Sequence, residues 1–192
     1  IAAHCTEANI TQKHIEFVRR KNRKALGVLM MSHMASKEIL LQEAKKMKSY
    51  GAQGLVLMDS AGAYIPKNVN ERISYLKKKL KNFPIGFHAH NNLGLAIANS
   101  VEAVKSGASM IDGCARGFGA GAGNAQLEVL VAVFKKLGIK TNVDLYKILD
   151  CGDIAEKFLM KIIPSISSTS IVSGLSGVFS GFIEHVVKHS KK

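Results

Sequence analysis

The sequence predicts an α/β protein: a partial (β/α)8 barrel of about five strand–helix units followed by a helical C-terminal extension. Short apolar runs recur at residues 1–3, 25–31, 54–58, 85–87 and 109–111, each followed by polar or glycine-bearing residues and then a helical pattern. The units repeat every 24 to 30 residues or so, about the length of a strand with its crossover helix. Polar residues gather after the strands and not before them: His4-Cys5-Thr6-Glu7, Ser32-His33, Asp59-Ser60, His88-Ala89-His90-Asn91-Asn92, and Arg116 with its glycine loop. That asymmetry matches a barrel whose chemistry occupies the C-terminal ends of its strands.

Helix boundaries follow from capping chemistry. Thr11 is placed to cap a helix through Arg20 and Ser36 one through Tyr50; Asn68, with Glu71 three residues on, opens one through Leu80. Asn92 is placed to start the next, which ends before Gly107, while Gly51 and Gly138 suit left-handed C-terminal caps. Past Lys136 the pattern changes to one or two amphipathic helices over 143–159, a Ser-rich connector over 164–170 and a helix over 178–189. The expected division is barrel over 1–138 and extension over 139–192. Five strands do not close a barrel, and the chain opens directly on a strand at Ile1, so about three preceding strand–helix units are expected in a longer protein.

The 192 residues are 47% hydrophobic, enough for a substantial core. No apolar run reaches the roughly 18 residues that cross a bilayer, and no charged-then-apolar leader precedes the first strand, so a cytoplasmic setting away from membranes is expected. Cys5, Cys114 and Cys151 are odd in number and lack metal-knuckle spacing, so they read as reduced thiols, with Cys5 a small buried apolar group. Net charge is +13, yet the basic clusters fall near the ends of different helices and there is no Trp to stack on bases. Nucleic acid is therefore not the expected partner; lysines near helix C-termini explain the charge.

His88 and His90 carry the central functional signal. At i, i+2 on a strand both imidazoles point to one face, where two neutral nitrogens can converge on a divalent cation or form a hydrogen-bonded polar strand end. Ser60 can donate to a carboxylate. Asp59 suits either orienting a histidine ligand or serving as a cap or ion pair, and Asn92 either caps its helix or supports the metal from behind. His4 and His33 read first as structural histidines, Tyr64 and Arg116 as pocket-rim residues, and Met30, Met31 and Met34 as core filling. Gly117, Gly119 and Ala122 fit G-x-G-x-x-A, but the acidic residue expected about 20 positions on falls at Asp144, in a helical stretch, which weakens a dinucleotide reading. The glycines suit a tight loop closure or the approach of backbone amides to a small anion.

Five strings, in order, carry a resemblance: His4-Cys5-Thr6-Glu7-Ala8, Leu29-Met30-Met31-Ser32-His33-Met34, Asp59-Ser60-Ala61-Gly62-Ala63, Gly86-Phe87-His88-Ala89-His90-Asn91-Asn92, and Gly117-Phe118-Gly119-Ala120-Gly121-Ala122-Gly123-Asn124-Ala125. From Ile1 to about His185 the chain resembles the pyruvate-specific 4-hydroxy-2-oxovalerate aldolases, of the metal-dependent barrel family that includes 3-hydroxy-3-methylglutaryl-CoA lyase and isopropylmalate synthase. The resemblance implies that His88 and His90 bind a divalent ion, usually Mn²⁺ with Mg²⁺ or Co²⁺ as alternatives, and that Ser60 and His88 face the pyruvate moiety. It puts the third ligand (an Asp), a neighbouring Arg and the base His in a part absent from this sequence. Asn124 reaches the metal in related lyases; here it reads first as loop-stabilising, with second-shell support of the metal as the alternative. The resemblance also implies a small 2-oxoacid substrate, an acylating aldehyde dehydrogenase docked on the tail helices, and a role in aromatic hydrocarbon catabolism. Leu175 stands where the family carries a substrate-positioning Tyr. An acyl-CoA/2-oxoacid condensing or lyase relative and a non-catalytic truncated copy are the alternatives; the former is disfavoured because the glycine loop lacks a Cys, Cys114 preceding it.

Overall fold

Strands β1 (Ala2–His4), β2 (Gly27–Met30), β3 (Leu55–Asp59), β4 (Ile85–Ala89) and β5 (Met110–Asp112) form one sheet in sequential order, and helices α1 (Gln12–Arg20), α2 (Lys37–Ser49), α3 (Pro66–Lys79) and α4 (Ala96–Lys105) connect them. The computed structural model describes residues 1–190. β1 and β2 pair in parallel with Ala2 opposite Val28, and β2 and β3 with Gly27 opposite Leu55. Leu55 N–H donates to Pro84 O and Ser109 N–H to Ile85 O, extending the hydrogen bonding toward β4 and β5. A strand, a helix and the adjacent strand, repeated without a skipped position, is the architecture of part of a (β/α)8 barrel.

Two compact units divide the chain: Ile1–Ser60, Tyr64–His88 and Glu102–Ile111 form the first, and Ala61–Ala63, Ala89–Val101 and the residues from Asp112 onward form the second. In the first unit Leu29, Leu55, Leu57, Ile85 and Phe87 are fully buried against Ile15, Leu40, Met47, Ile73 and Leu76 of the helices. β4 is buried along its whole length, as a strand covered on both faces must be.

The caps follow the sequence in part. Ser36 Oγ accepts from Ile39 N–H, as expected. Thr11 does not cap α1: its hydroxyl donates to Ala8 O within a 3-10 turn over Ala8–Thr11. α3 starts at Pro66, whose missing N–H costs nothing in a first turn, and Asn68 reaches back to accept from Ile65 N–H. α4 starts at Ala96, later than expected, and Asn91, not Asn92, accepts the Ala96 N–H.

Helices that return antiparallel to the strands all end at the same edge of the first unit. The contacts there run side by side: Arg19 donates to Gln53 Oε1 at 2.6 Å, Lys48 Nζ lies 5.3 Å from the Phe83 ring centre, and Lys77 packs against Gly107. Basic clusters separated in sequence are thereby brought to one end of the sheet.

In the second unit, α5 (Leu127–Lys136), α6 (Leu145–Leu159), α7 (Ser168–Ser176) and α8 (Ile183–Ser190) follow the glycine loop. α7 begins inside the expected connector because Ser167 and Ser170 cap each other reciprocally, and it ends at Gly177 with φ 64°. The expected 178–189 helix starts only at Ile183, after a 3-10 turn over Ser180–Phe182. Phe158, Leu159, Ile162, Val172 and Leu175 are exposed on this unit, and an apolar groove lies between α7 and α8. Among the described residues no helix is long and apolar enough to cross a membrane.

Candidate active site

His88 lies inside β4 and His90 one residue beyond its end, so the i, i+2 spacing falls on one extended run. Both are buried, at 7% and 8% exposure. His90 pairs with Asn124 in an antiparallel bridge, flanked by Ala125 N–H to Ala89 O at 3.0 Å and Asn91 N–H to Gly123 O at 2.8 Å. The histidine run and the end of the glycine loop are thus zipped backbone to backbone.

In the first unit, Asp59 and Ser60 close β3 and both are fully buried. Asp59 Oδ2 accepts from Tyr64 N–H at 3.0 Å, fixing the turn after the strand. Ser60 Oγ accepts from Met31 N–H at 2.9 Å. Accepting that bond leaves the hydroxyl proton of Ser60 available as a donor. Tyr64 is not a rim residue. It is buried, stacks on Phe87 at 6.2 Å, meets His33 edge-on at 6.4 Å, lies under the Arg72 guanidinium, and donates to Ser32 Oγ at 3.0 Å. Burial raises its phenol pKa.

Asn124 donates through Nδ2 to Phe118 O at 3.0 Å and to Cys114 Sγ at 3.1 Å, which explains its loop-stabilising part. Its Oδ1 is buried and accepts no hydrogen bond. An unmatched amide oxygen beside His90 has the hardness and the unused lone pairs of a cation donor. Gly119 leaves room for this amide: a Cβ there would come within 2.5 Å of Asn124 Nδ2. Several amides of the glycine loop are consumed internally, Gly117 N–H by Cys114 O, Gly123 N–H by Ala120 O and Asn124 N–H by Gly117 O, so loop closure accounts for much of the glycine content.

Asn92 is fully buried and donates to Ala61 O and Ser180 Oγ while accepting from Ala122 N–H. This replaces the expected helix cap. The amide is a tie between loops, and the sequence concealed it because its partners lie 31, 88 and 30 residues away.

Arg116 also leaves the rim. With φ 50°, it points its guanidinium at Glu128 of α5 and at Asp153 and Glu156 of α6, and its own N–H donates to Glu128. His4 Nδ1 lies 2.8 Å from Thr6 Oγ1, and Cys5 is fully buried, with its thiol pKa raised by desolvation. Met34 is 62% exposed, so core filling does not describe it; Met30 and Met31 are half-buried. Among the described residues no three His, Cys, Asp or Glu side chains cluster in a way that would hold a metal ion.

The HMGL-like family model matches residues 5–154. The chain is 62% identical over 191 residues to a 4-hydroxy-2-oxovalerate aldolase of Pectobacterium atrosepticum, covering 100% of this chain and 55% of the relative, and 56% identical over 188 residues to one of Spirochaeta aurantia, covering 98% and 55%. It thus spans about half the length of the curated relatives it matches. Among solved structures it is similar to the N-terminal domain of a Bacteroides vulgatus protein, at TM-score 0.84 and 25% identity over 97% of this chain and 62% of the other. It is also similar to the HMG-CoA lyase of Bacillus subtilis, at TM-score 0.72 and 28% identity over 82% and 57%. A family model matching residues 5–154 and the alignment of nearly the whole of this chain with these relatives place the chain in the HMGL-like family.

Proposed function

We propose that the chain is part of a class II, divalent-metal-dependent aldolase that cleaves 4-hydroxy-2-oxopentanoate, or a related 4-hydroxy-2-oxoacid, to pyruvate and an aldehyde. The observation that carries this reading is the buried His88 and His90 on one extended run, with Asn124, whose buried Oδ1 accepts no hydrogen bond, paired to His90 through the backbone. Two imidazoles and an amide oxygen fit a borderline, oxygen-tolerant ion; Mn²⁺ is the first choice, with Mg²⁺ or Co²⁺ behind it. Such an ion, when bound, supplies Lewis-acid stabilisation of the pyruvate enolate.

Cleavage removes the proton of the 4-hydroxyl, breaks the C3–C4 bond to free the aldehyde, and leaves the electron pair on the enolate of pyruvate, which then takes a proton at C3. Ser60 donates its O–H to the substrate carboxylate, and its grip on Met31 N–H holds the hydroxyl in place. Asp59 fixes the turn that carries Ser60. His88 and His90 offer ring nitrogens, and Asn124 stiffens the glycine loop paired to His90. Leu175, a hydrocarbon exposed on α7, offers no phenol donor, so substrate positioning differs from relatives with a Tyr.

The barrel part over 1–138 holds this chemistry, and the helical region over 139–192 is the docking side for an acylating aldehyde dehydrogenase in the cytoplasm. Its exposed apolar side chains support the docking role. The test is pyruvate release by the complete protein. Chelation abolishes it, Mn²⁺ restores it, and His88→Ala and His90→Ala lower it by 100-fold or so and weaken Mn²⁺ binding. Full turnover in chelator, or by His90→Ala, refutes the proposal. The 192-residue chain alone is expected to turn over far more slowly than the complete protein.

A further inference from the structure

Three glycines from three distant segments crowd one asparagine. A Cβ on Gly62 would lie 2.7 Å from Asn92 N, one on Gly121 would lie 2.5 Å from Asn92 Oδ1, and one on Gly174 would lie 3.2 Å from Asn92 Cβ. Gly62 and Gly121 also have φ of 59° and 64°, a backbone region that penalises side chains. A fully buried amide enclosed this tightly has no room to shift, and its hydrogen bonds are directed: Nδ2 to Ala61 O at 2.9 Å and to Ser180 Oγ at 2.8 Å, Oδ1 from Ala122 N–H at 2.9 Å.

What Asn92 joins gives it a part beyond packing. Ala61 follows Ser60 in the chain, Ala122 lies two residues before Asn124, Asn92 itself lies two after His90, and Ser180 belongs to the C-terminal segment between α7 and α8. Ser180 is 6% exposed. Through one side chain the C-terminal segment holds the glycine loop against the run that carries His90. The backbone bonds from Asn91 to Gly123 and from Ala125 to Ala89 pass that constraint on to the His90–Asn124 bridge.

We infer that Asn92 is a positioning residue for the reaction, and that the Ser180–Asn92–Ala122 hydrogen-bond chain makes the geometry of His90 and Asn124 depend on how the C-terminal helices are seated. The inference rests on the metal-site reading of His90 and Asn124. It assigns the C-terminal segment a second role, since whatever shifts α7 and α8 acts on the site through Ser180.

The experiment compares the complete protein with Ser180→Ala and Asn92→Ala. Hydrogen exchange at the Ala122 amide is read without substrate or metal, and Mn²⁺ dissociation constants and the split between kcat and KM are read with them. Ser180→Ala, the milder variant, keeps the fold and lets the Ala122 amide exchange about tenfold faster, in line with losing one buried hydrogen bond. Its Mn²⁺ dissociation constant rises roughly tenfold and kcat falls with little change in KM. Asn92→Ala gives a larger change of the same kind, and the double variant is no worse than Asn92→Ala alone, because both act through one link. Unchanged Ala122 exchange in a folded Ser180→Ala protein, or additive effects of the two substitutions, overturns the inference. A wild-type protein that binds no Mn²⁺ and releases no pyruvate overturns the proposed function instead, and the exchange measurement still decides whether the link exists.

Discussion

Met31, held in the left-handed region at φ 52°, gives its backbone N–H to Ser60 Oγ across neighbouring strands β2 and β3. A non-glycine residue in that region costs of order 1 kcal/mol or more and persists only where its surroundings hold it. Here the holding group is the same hydroxyl that the proposed chemistry aims at the substrate carboxylate.

Ser60→Ala therefore has two effects. It orphans the Met31 N–H, which lowers unfolding free energy by about 1–3 kcal/mol in urea titration. It also raises KM for the 2-oxoacid. A loss of stability with KM unchanged would leave Ser60 a structural residue only.

Tyr64→Phe tests the buried phenol. Burial raises its pKa above the usual value, so the folded state keeps the proton that the unfolded chain gives up near pH 10. Stability from this group is complete below that pH and declines as pH rises above it, by at most about 1.4 kcal/mol per pH unit. The Phe variant loses this alkaline slope while giving up about 1 kcal/mol at neutral pH, where Ser32 loses its donor. Tm measured from pH 8 to 12 for both proteins shows the difference.

Arg116→Gln leaves Glu128, whose side chain is only 3% exposed, without its cation. Discounting for the partial exposure of the arginine, about 1–3 kcal/mol of stability is lost. α6 loses the anchor for Asp153 and Glu156, so limited proteolysis first cuts between α5 and α6.

The three thiols separate by access. Cys151 is exposed, Cys114 half-buried and Cys5 buried with a raised pKa, so a disulfide reagent labels them in that order, and Cys5 reacts only on unfolding. Equal rates for Cys5 and Cys151 in the native protein would contradict the packing of β1.

The strands were legible because each is a short apolar run bounded by turn chemistry, and all five lie within two residues or so of where periodicity puts them. The placement of His88 and His90 on one extended run was legible for the same reason. Three other assignments went astray through long-range partners. Tyr64 and Arg116 read as rim residues because they follow strand ends, yet Ser32 and Phe87 hold Tyr64 in the interior, and Glu128 and Glu156 hold the part-exposed Arg116 against α5 and α6. Asn92 read as a cap because it precedes a helix, while its neighbour Asn91 does that work. α7 was missed because Ser and Gly lower helix propensity, and the reciprocal Ser167–Ser170 cap offsets that.

The lysine-rich helix ends that converge at one edge of the first unit also bear on how the protein behaves in solution. With 27 cationic against 14 acidic side chains in the chain, cations gathered at one end of the sheet repel one another across water, a cost that dissolved counterions relieve. The protein is thus expected to melt at higher temperature in a few hundred millimolar potassium chloride than in dilute buffer.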